Sequence, residues 1–136
     1  MLSFSYHFFM GKIMKTNQQK LGNLGEDLAC QYIEKKGYLI KRRNFRFGKG
    51  ELDIIATYKK TLAVIEVKSI RKNGYGLGGE RISIKKQREI IRATYGYLSM
   101  YPVEINMGVR FDVIVIDFRS YPAGILHYEA AFWQNG

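Results

Sequence analysis

ELDIIATYKKTLAVIEVKS, residues 51 to 69, has the pattern of two β-strands joined by a tight turn. A symmetric turn of two or four residues would place Asp53 opposite Glu66 and Glu51 opposite Lys68. A register shifted by one residue would mix charged and apolar side chains on both faces, which is unfavourable. The pattern therefore predicts the register as well as the hairpin. In this register one face is wholly apolar and consists of Leu52, Ile54, Ala56, Ala63, Ile65 and Val67.

The other face carries four charged residues at the end away from the turn. Two carboxylates placed opposite each other, here Asp53 and Glu66, repel unless a cation lies between them. Mg²⁺ binds one or two protein carboxylates together with water and phosphate oxygens, so these acids and the Val67 carbonyl would form an open site for it. Lys68 would orient or help to deprotonate an attacking water, or neutralise a phosphate. The alternative is a surface ladder in which Lys68 offsets Glu51 and Glu66, and the hairpin alone leaves both interpretations open.

The rest of the chain alternates between helical and extended patterns in the order α-β-β-β-α-β-β. This order predicts an α/β domain with a central mixed sheet flanked by helices. The first helix should end at Gly37, and the second should begin after Ser83 and run to about Met100. The glycine-rich segment Asn73–Glu80 is predicted to be a loop. The predicted strands are Tyr38–Phe45, Glu51–Thr57, Leu62–Ser69, Val109–Phe118 and Ile125–Phe132.

The composition favours a protein that binds a polyanion. Lys and Arg outnumber Asp and Glu by 22 to 12, which gives a net charge of +10. No basic amphipathic helix with an aromatic face is evident, so nucleic acid is preferred to a membrane as the partner. No segment approaches the roughly 20 apolar residues of a membrane helix. The single cysteine, Cys30, excludes an internal disulfide and fits a reducing compartment such as the cytoplasm, and two histidines without a Cys cluster argue against zinc.

The N-terminal stretch MLSFSYHFFMGKIMK does not have the pattern of a signal peptide, because it lacks a basic n-region and a small-residue cleavage site. We interpret residues 1–13 as a disordered extension or as the product of a start codon assigned too early, with Met10 or Met14 as the true start. Residues 14–136 then form the domain.

Glu26, on the first helix, has two explanations. It lies on the flank of the apolar stripe that would pack on the sheet, so it could reach the acidic end of the hairpin. It also lies three residues after Asn23, which is the capping-box position if Asn23 is the N-cap.

Polar residues of the second helix are similarly ambiguous. Gln87 falls within its apolar stripe and would either point at the site or satisfy a backbone group. Lys85, Arg88 and Arg92 share one side of the helix, as expected for phosphate contacts or for a solvated face. The other candidate nucleic-acid contacts are the basic residues of the first strand, its turn and the end of the third strand: Arg42, Arg43, Arg46, Lys49 and Arg71.

GNLGEDLACQYIEKKGY, RRNFR, GELDIIA, VIEVKSIR and RFDVIVID follow one another between Leu21 and Asp117. These ordered motifs resemble the YraN family of small bacterial proteins with an endonuclease-like fold. That family is in turn similar to archaeal Holliday-junction resolvases and to the PD-(D/E)xK nuclease superfamily. The resemblance implies a restriction-endonuclease-like αβββαβ core and a Mg²⁺ site in which Mn²⁺ could substitute.

The resemblance also implies roles for individual residues. The superfamily builds its metal site from an acid on the first helix, an Asp on the second core strand and an E-x-K on the third. Glu51 belongs to the G-E-[IL]-D string and would support a metal ligand or pair with Lys68. Leu52 stands where the superfamily has a proline, which is not a ligand. The residues matched to the site are Glu26, Asp53, Glu66 and Lys68.

We therefore expect a Mg²⁺-dependent nuclease that hydrolyses phosphodiester bonds in DNA, including branched or structured DNA. Symmetric cutting of a junction would require a homodimer. The alternative is a non-catalytic nucleic-acid-binding module on the same fold. An interaction scaffold would leave the positive charge and the acidic cluster unexplained.

Overall fold

The computed structural model describes residues 17–71, 82–102 and 106–133. In these ranges two helices and five strands follow the predicted order, and the strand ends differ from the predicted ones by at most two residues. The interpretation of residues 1–13 and the predicted Asn73–Glu80 loop lie outside the described residues. The elements are α1 (Asn17–Lys35), β1 (Leu39–Phe47), β2 (Gly50–Tyr58), β3 (Thr61–Ile70), α2 (Ile84–Met100), β4 (Gly108–Asp117) and β5 (Gly124–Phe132).

The strands form one mixed sheet in the spatial order β1-β2-β3-β4-β5. β1, β2 and β3 are antiparallel neighbours, β4 runs parallel to β3, and β5 is antiparallel to β4. The predicted hairpin register is confirmed from Tyr58 opposite Thr61 to Ile54 opposite Ile65. With one helix on each face, this α/β arrangement is that of a restriction-endonuclease-like core.

Each face of the sheet carries its own apolar cluster. Because side chains alternate along β3, its residues divide between the two clusters. Burial of this apolar surface is the main stabilising contribution to the fold. The cluster beneath α1 includes Ala29, Ile33, Ile54, Ala63, Ile65 and Ile114. The cluster beneath α2 includes Leu52, Ile55, Val64, Ile90, Tyr97 and Val113.

Leu52 corrects one part of the sequence prediction. It was expected on the same face as Ile54, but it packs with Ile55 in the cluster beneath α2. Two residues that are two positions apart in β2 therefore face opposite sides of the sheet. Strict alternation fails between them, at Asp53.

β1 changes face at the same level. Arg43 donates a hydrogen bond to Asp27 of α1 at 2.8 Å, whereas the Phe45 ring packs edge-on against Tyr97 of α2. Asn44, between them, has a φ of 54°, a left-handed conformation that Asn tolerates better than most residues. This single residue interrupts the alternation of β1, next to the interruption in β2.

Both helices have the predicted capping signals. At the C-terminus of α1, Gly37 has a φ of 98°, and the Tyr38 N–H donates to the Ile33 carbonyl at 3.0 Å. At the start of α2, the Ser83 side chain accepts a hydrogen bond from the Lys86 N–H at 3.1 Å. Neither helix of the described ranges has the length and apolar character needed to cross a membrane.

The capping-box explanation of Glu26 is wrong. α1 is already helical at Asn17, so Asn23 lies inside the helix and is not its N-cap. Glu26 therefore does not occupy the first turn of α1. The position of Glu26 must instead be explained by its contacts with the sheet beneath α1.

Asp112 is the centre of a buried polar cluster at the β4–β5 edge. It is fully buried, and Arg110 donates to its two oxygens through Nε at 2.9 Å and Nη2 at 2.8 Å. His127 Nε2 at 2.9 Å and the Ala130 N–H at 3.0 Å complete its shell. Burial opposes ionisation, but the hydrogen bonds from His127 and Arg110 outweigh it and hold the pKa of Asp112 below its usual value. The cluster ties β5 to β4.

Candidate functional site

Asp53 and Glu66 lie where β2 and β3 separate. The register between these strands ends with Ile54 opposite Ile65, one residue before each acid. Asp53 Oδ2 accepts a hydrogen bond from the backbone N–H of Val67 at 2.9 Å. The two carboxyl groups are close enough for each to shift the pKa of the other. The two acids that the hairpin pattern paired thus lie side by side.

The pair is held in a site that disfavours two negative charges. Burial raises the pKa of Glu66 to about 8, and the charge of Asp53 contributes to this shift. Burial likewise raises the pKa of Asp53. Lys86 is a positive charge that opposes the rise for both acids. Without a cation, the pair keeps a proton at neutral pH.

Glu26 approaches the pair from α1. Burial and the charge of Asp53 raise its pKa to about 7, although the Arg43 guanidinium, 3.6 Å away, opposes the shift. α1 comes close to β3 at Gly25, where an added Cβ atom would clash with the Ser69 hydroxyl oxygen. This close approach brings Glu26 within electrostatic reach of Asp53. We call Glu26, Asp53 and Glu66 the carboxylate cluster.

Two lysines act on the carboxylate cluster, of which sequence reasoning identified only Lys68. Lys68 is partly buried, and its charge opposes the rise in the Glu66 pKa. The larger opposing charge comes from Lys86 in the first turn of α2, whose Nζ lies 3.7 Å from Glu66 Oε2. Lys86 also lowers the pKa of Asp53. Its spacing from the Ser83 cap could have placed it at the start of α2, but nothing in the sequence pairs it with β3.

The hydrogen bonds of Glu51 and Gln87 go to residues outside the carboxylate cluster. Glu51 accepts a hydrogen bond at 3.1 Å from Arg46, the β1 residue directly opposite it. The predicted pairing of Glu51 with Lys68 is not among the pairs of the described register, which ends at Ile54. Gln87 Nε2 donates to the Ile82 carbonyl at 2.9 Å, so it satisfies a backbone group.

The candidate nucleic-acid contacts divide into residues with protein partners and residues open to solvent. Arg43 is tied to Asp27 and Glu26, and Arg46 to Glu51. Arg42 hydrogen-bonds the Tyr101 hydroxyl, with its guanidinium 4.7 Å from that ring's centre. Arg71 is partly exposed at the end of its described segment. The exposed ones are Lys49 in the β1–β2 turn and Lys85, Arg88 and Arg92 on α2.

Comparison with known proteins places this sequence in a family. The model of Uncharacterised protein family UPF0102 matches residues 25–116. A UPF0102 protein of Phocaeicola vulgatus is 40% identical over 84% of this chain and 93% of its own length. Another, from Syntrophotalea carbinolica, is 37% identical over 90% of this chain and 99% of its own length. One from Clostridium perfringens is 42% identical over 78% of this chain and 86% of its own length.

This chain belongs to the UPF0102 family. The predicted membership of the YraN family, which is the same family, is thereby confirmed. The UPF0102 match begins just before Glu26 and ends in β4, so it contains the whole carboxylate cluster with Lys68 and Lys86. The names of these relatives state no activity, so a function must be inferred from the site.

The carboxylate cluster has a consequence for the stability of this UPF0102 protein. We expect the Glu66→Gln variant, in EDTA, to be more stable than wild type at pH 8 by roughly 2 kcal/mol or more. Below pH 4.5, Glu66 is protonated in both the folded and the unfolded chain. Between pH 4.5 and about 8 the unfolded chain releases the proton and the folded chain retains it, so wild-type stability falls as the pH rises. Glutamine removes this loss.

Urea denaturation at pH 5 and pH 8 measures the effect. The advantage of Glu66→Gln should be small at pH 5 and grow towards pH 8. Glu34→Gln, which changes an exposed acid of α1, is the matched control and should show no such growth. A Glu66→Gln variant that is less stable than wild type at pH 8 would contradict the buried-pair interpretation.

Proposed function

We propose that this protein is a Mg²⁺-dependent nuclease that hydrolyses phosphodiester bonds in DNA. The observation that carries the proposal is the pair formed by partly buried Asp53 and buried Glu66, two adjacent acids whose pKa values are raised chiefly by burial. Burying two adjacent acids costs folding free energy, so such a pair is not expected where it serves only the stability of the fold. Perturbed acids grouped at one place are typical of functional sites.

The residues fit Mg²⁺. Carboxylate oxygens are its preferred protein ligands, and one or two of them suffice because water and substrate oxygens complete the shell. In the described part of the chain, no three His, Cys, Asp or Glu side chains are grouped closely enough to form a complete metal-binding cluster. An open site with few protein ligands is what Mg²⁺ uses with phosphate substrates. Asp53 and Glu66 would hold the ion, with Glu26 and the Val67 backbone at its edge.

Hydrolysis needs a positioned water and a stabilised phosphate. Bound Mg²⁺ would supply a Lewis acid that offsets the charge developing on the phosphate. Lys68 follows Glu66 by two positions in β3 and would orient the attacking water. The water oxygen bonds to phosphorus while one P–O ester bond breaks, and the proton lost by the water passes to the departing oxygen. The products are a phosphate monoester and an alcohol.

The exposed cations of α2 would bind the nucleic-acid backbone. Lys85, Arg88 and Arg92 lie on one side of the helix whose first turn contains Lys86. Contacts of this type bind phosphates irrespective of sequence and weaken as the salt concentration rises. They would guide the strand to the carboxylate cluster.

A second candidate is a non-catalytic nucleic-acid-binding module. The exposed cations favour it, because they bind phosphate whether or not the acids hold a metal. The two candidates differ in what the acids do. A pure binder gains nothing from acids that face a polyanion.

The deciding experiment incubates the full-length protein with duplex, single-stranded and four-way-junction DNA, and with single-stranded RNA. Mg²⁺, Mn²⁺ or EDTA is added to each. We expect cleavage of DNA with either metal and none in EDTA. Salt-dependent binding without cleavage of any substrate would favour the binding module. Neither binding nor cleavage would overturn both candidates.

A further inference from the structure

Lys86 is fixed at the edge of the carboxylate cluster by the architecture of α2. Its backbone N–H donates to the Ser83 cap at 3.1 Å, which sets its place in the first turn. Its side chain is 37% exposed, whereas that of its partner Glu66 is 9% exposed. The aliphatic stem therefore reaches from the surface towards a buried acid, and Nζ stops 3.7 Å from Glu66 Oε2.

This contact between Lys86 and Glu66 differs from an ordinary surface salt bridge because Glu66 is buried and lies beside a second acid. Glu66 lies beside Asp53, and the charge of Lys86 acts on both acids. A single ammonium group brings one positive charge to two carboxyls. A divalent cation between the acids would bring two, and it would need the Glu66 oxygens that Lys86 approaches.

We infer that Lys86 is the resident counter-ion of the Asp53–Glu66 pair and that it competes with a divalent cation for Glu66. When the cation binds, like charge repels the ammonium group, which the long, partly exposed side chain allows to swing towards solvent. There it contacts a phosphate oxygen of the substrate, beside the exposed Lys85 and Arg88. The second half of this inference rests on the proposed function, whereas the first half does not.

Mn²⁺ titration of the full-length protein without nucleic acid tests the first half. Free Mn²⁺ is followed by electron paramagnetic resonance for wild type, Lys86→Met and the control Lys85→Met. Methionine keeps the apolar stem and leaves the backbone cap of α2 intact, so Lys86→Met should fold. We expect Lys86→Met to bind Mn²⁺ about three- to tenfold more tightly, equivalent to about 0.7–1.4 kcal/mol. Lys85→Met makes the same change of charge one residue away and should stay within about twofold of wild type.

Cleavage at saturating Mn²⁺ tests the second half. Lys86→Met should cut about tenfold or more slowly, and Lys86→Arg should recover part of the rate because it restores a phosphate-binding charge. If Lys86→Met binds Mn²⁺ no more tightly than wild type, or if none of the proteins binds it, the counter-ion inference is overturned whatever the activity. Tighter Mn²⁺ binding with an unchanged cleavage rate overturns the phosphate contact alone. Tighter binding with no cleavage even by wild type supports the counter-ion and overturns the proposed nuclease.

Discussion

Replacing Asp53 by asparagine is expected to lower the rate of metal-dependent DNA cleavage by at least about 100-fold. Asparagine has nearly the same shape, and its side-chain oxygen can still accept the Val67 N–H that Asp53 accepts at 2.9 Å. The fold at the separation of β2 and β3 should therefore persist. What is lost is the negative charge next to Glu66, which under the proposed function would help the pair to hold a divalent cation.

Single-turnover cleavage of an end-labelled junction or duplex, at saturating Mn²⁺ or Mg²⁺, measures this loss. Asp27→Asn is the matched control, because it makes the same chemical change at an exposed acid of α1 that pairs with Arg43. It should stay within about threefold of wild type, the small allowance covering a shift of Arg43. Robust wild-type cleavage that survives both Asp53→Asn and Glu66→Gln would show that the reaction occurs elsewhere.

The hairpin could be predicted in detail because its information is local. Alternation in β2 and β3 and the short turn between them limit the register to one choice that keeps apolar side chains together. The structure has that register from Tyr58–Thr61 to Ile54–Ile65. The capping residues Gly37 and Ser83 were predictable for the same reason, since each acts within one helical turn.

The face of Leu52 was not predictable from alternation. Alternation assumes an uninterrupted strand, and the neighbouring strand β1 contains Asn44 in a left-handed conformation. The interruption occurs beside Asp53, whose side chain accepts the Val67 N–H. The interruption of side-chain alternation thus coincides with the candidate site. Departures from regular local structure of this kind are expected at functional sites.

The other features that the sequence did not predict depend on contacts between residues far apart in the chain. Ile84, the apolar first residue of α2, is 60% exposed, because the direction in which a helix packs is set by its neighbours. The proximity of Lys86 to Glu66 depends on how α2 returns to the sheet after β3. Asp112 did leave a usable signal, since an acid inside the apolar Val109–Phe118 stretch predicts a buried charge with partners. The identity of those partners required the structure.

Among the described residues, the Asp112 cluster offers the largest expected effect on stability. We expect Asp112→Ala to lower the free energy of unfolding at pH 7 by about 3–5 kcal/mol. The substitution would remove the acceptor of the 3%-exposed His127 ring. It would also remove the two-oxygen acceptor of the Arg110 guanidinium, whose side chain is 19% exposed and which would keep only Tyr38 and Glu129 as partners. The Ala130 N–H would lose its partner as well. The cost therefore comes mainly from donors left unsatisfied in the interior, not from the lost attraction alone.

Urea denaturation of Asp112→Ala, Arg110→Met and the double variant separates these contributions. If unsatisfied donors dominate, the double variant should be less destabilised than the sum of the two single variants, because removing Arg110 also removes the hydrogen-bond donors that Asp112→Ala leaves unsatisfied.

The pH dependence of the stability difference gives an independent check. Asp112 has a lowered pKa in the fold, so its stabilising contribution is present above its unfolded value of 3.8 and is lost as the pH falls below it. The difference between wild type and Asp112→Ala should then narrow in acid, and a difference below about 1 kcal/mol at pH 7 would mean that water replaces the carboxylate at little cost.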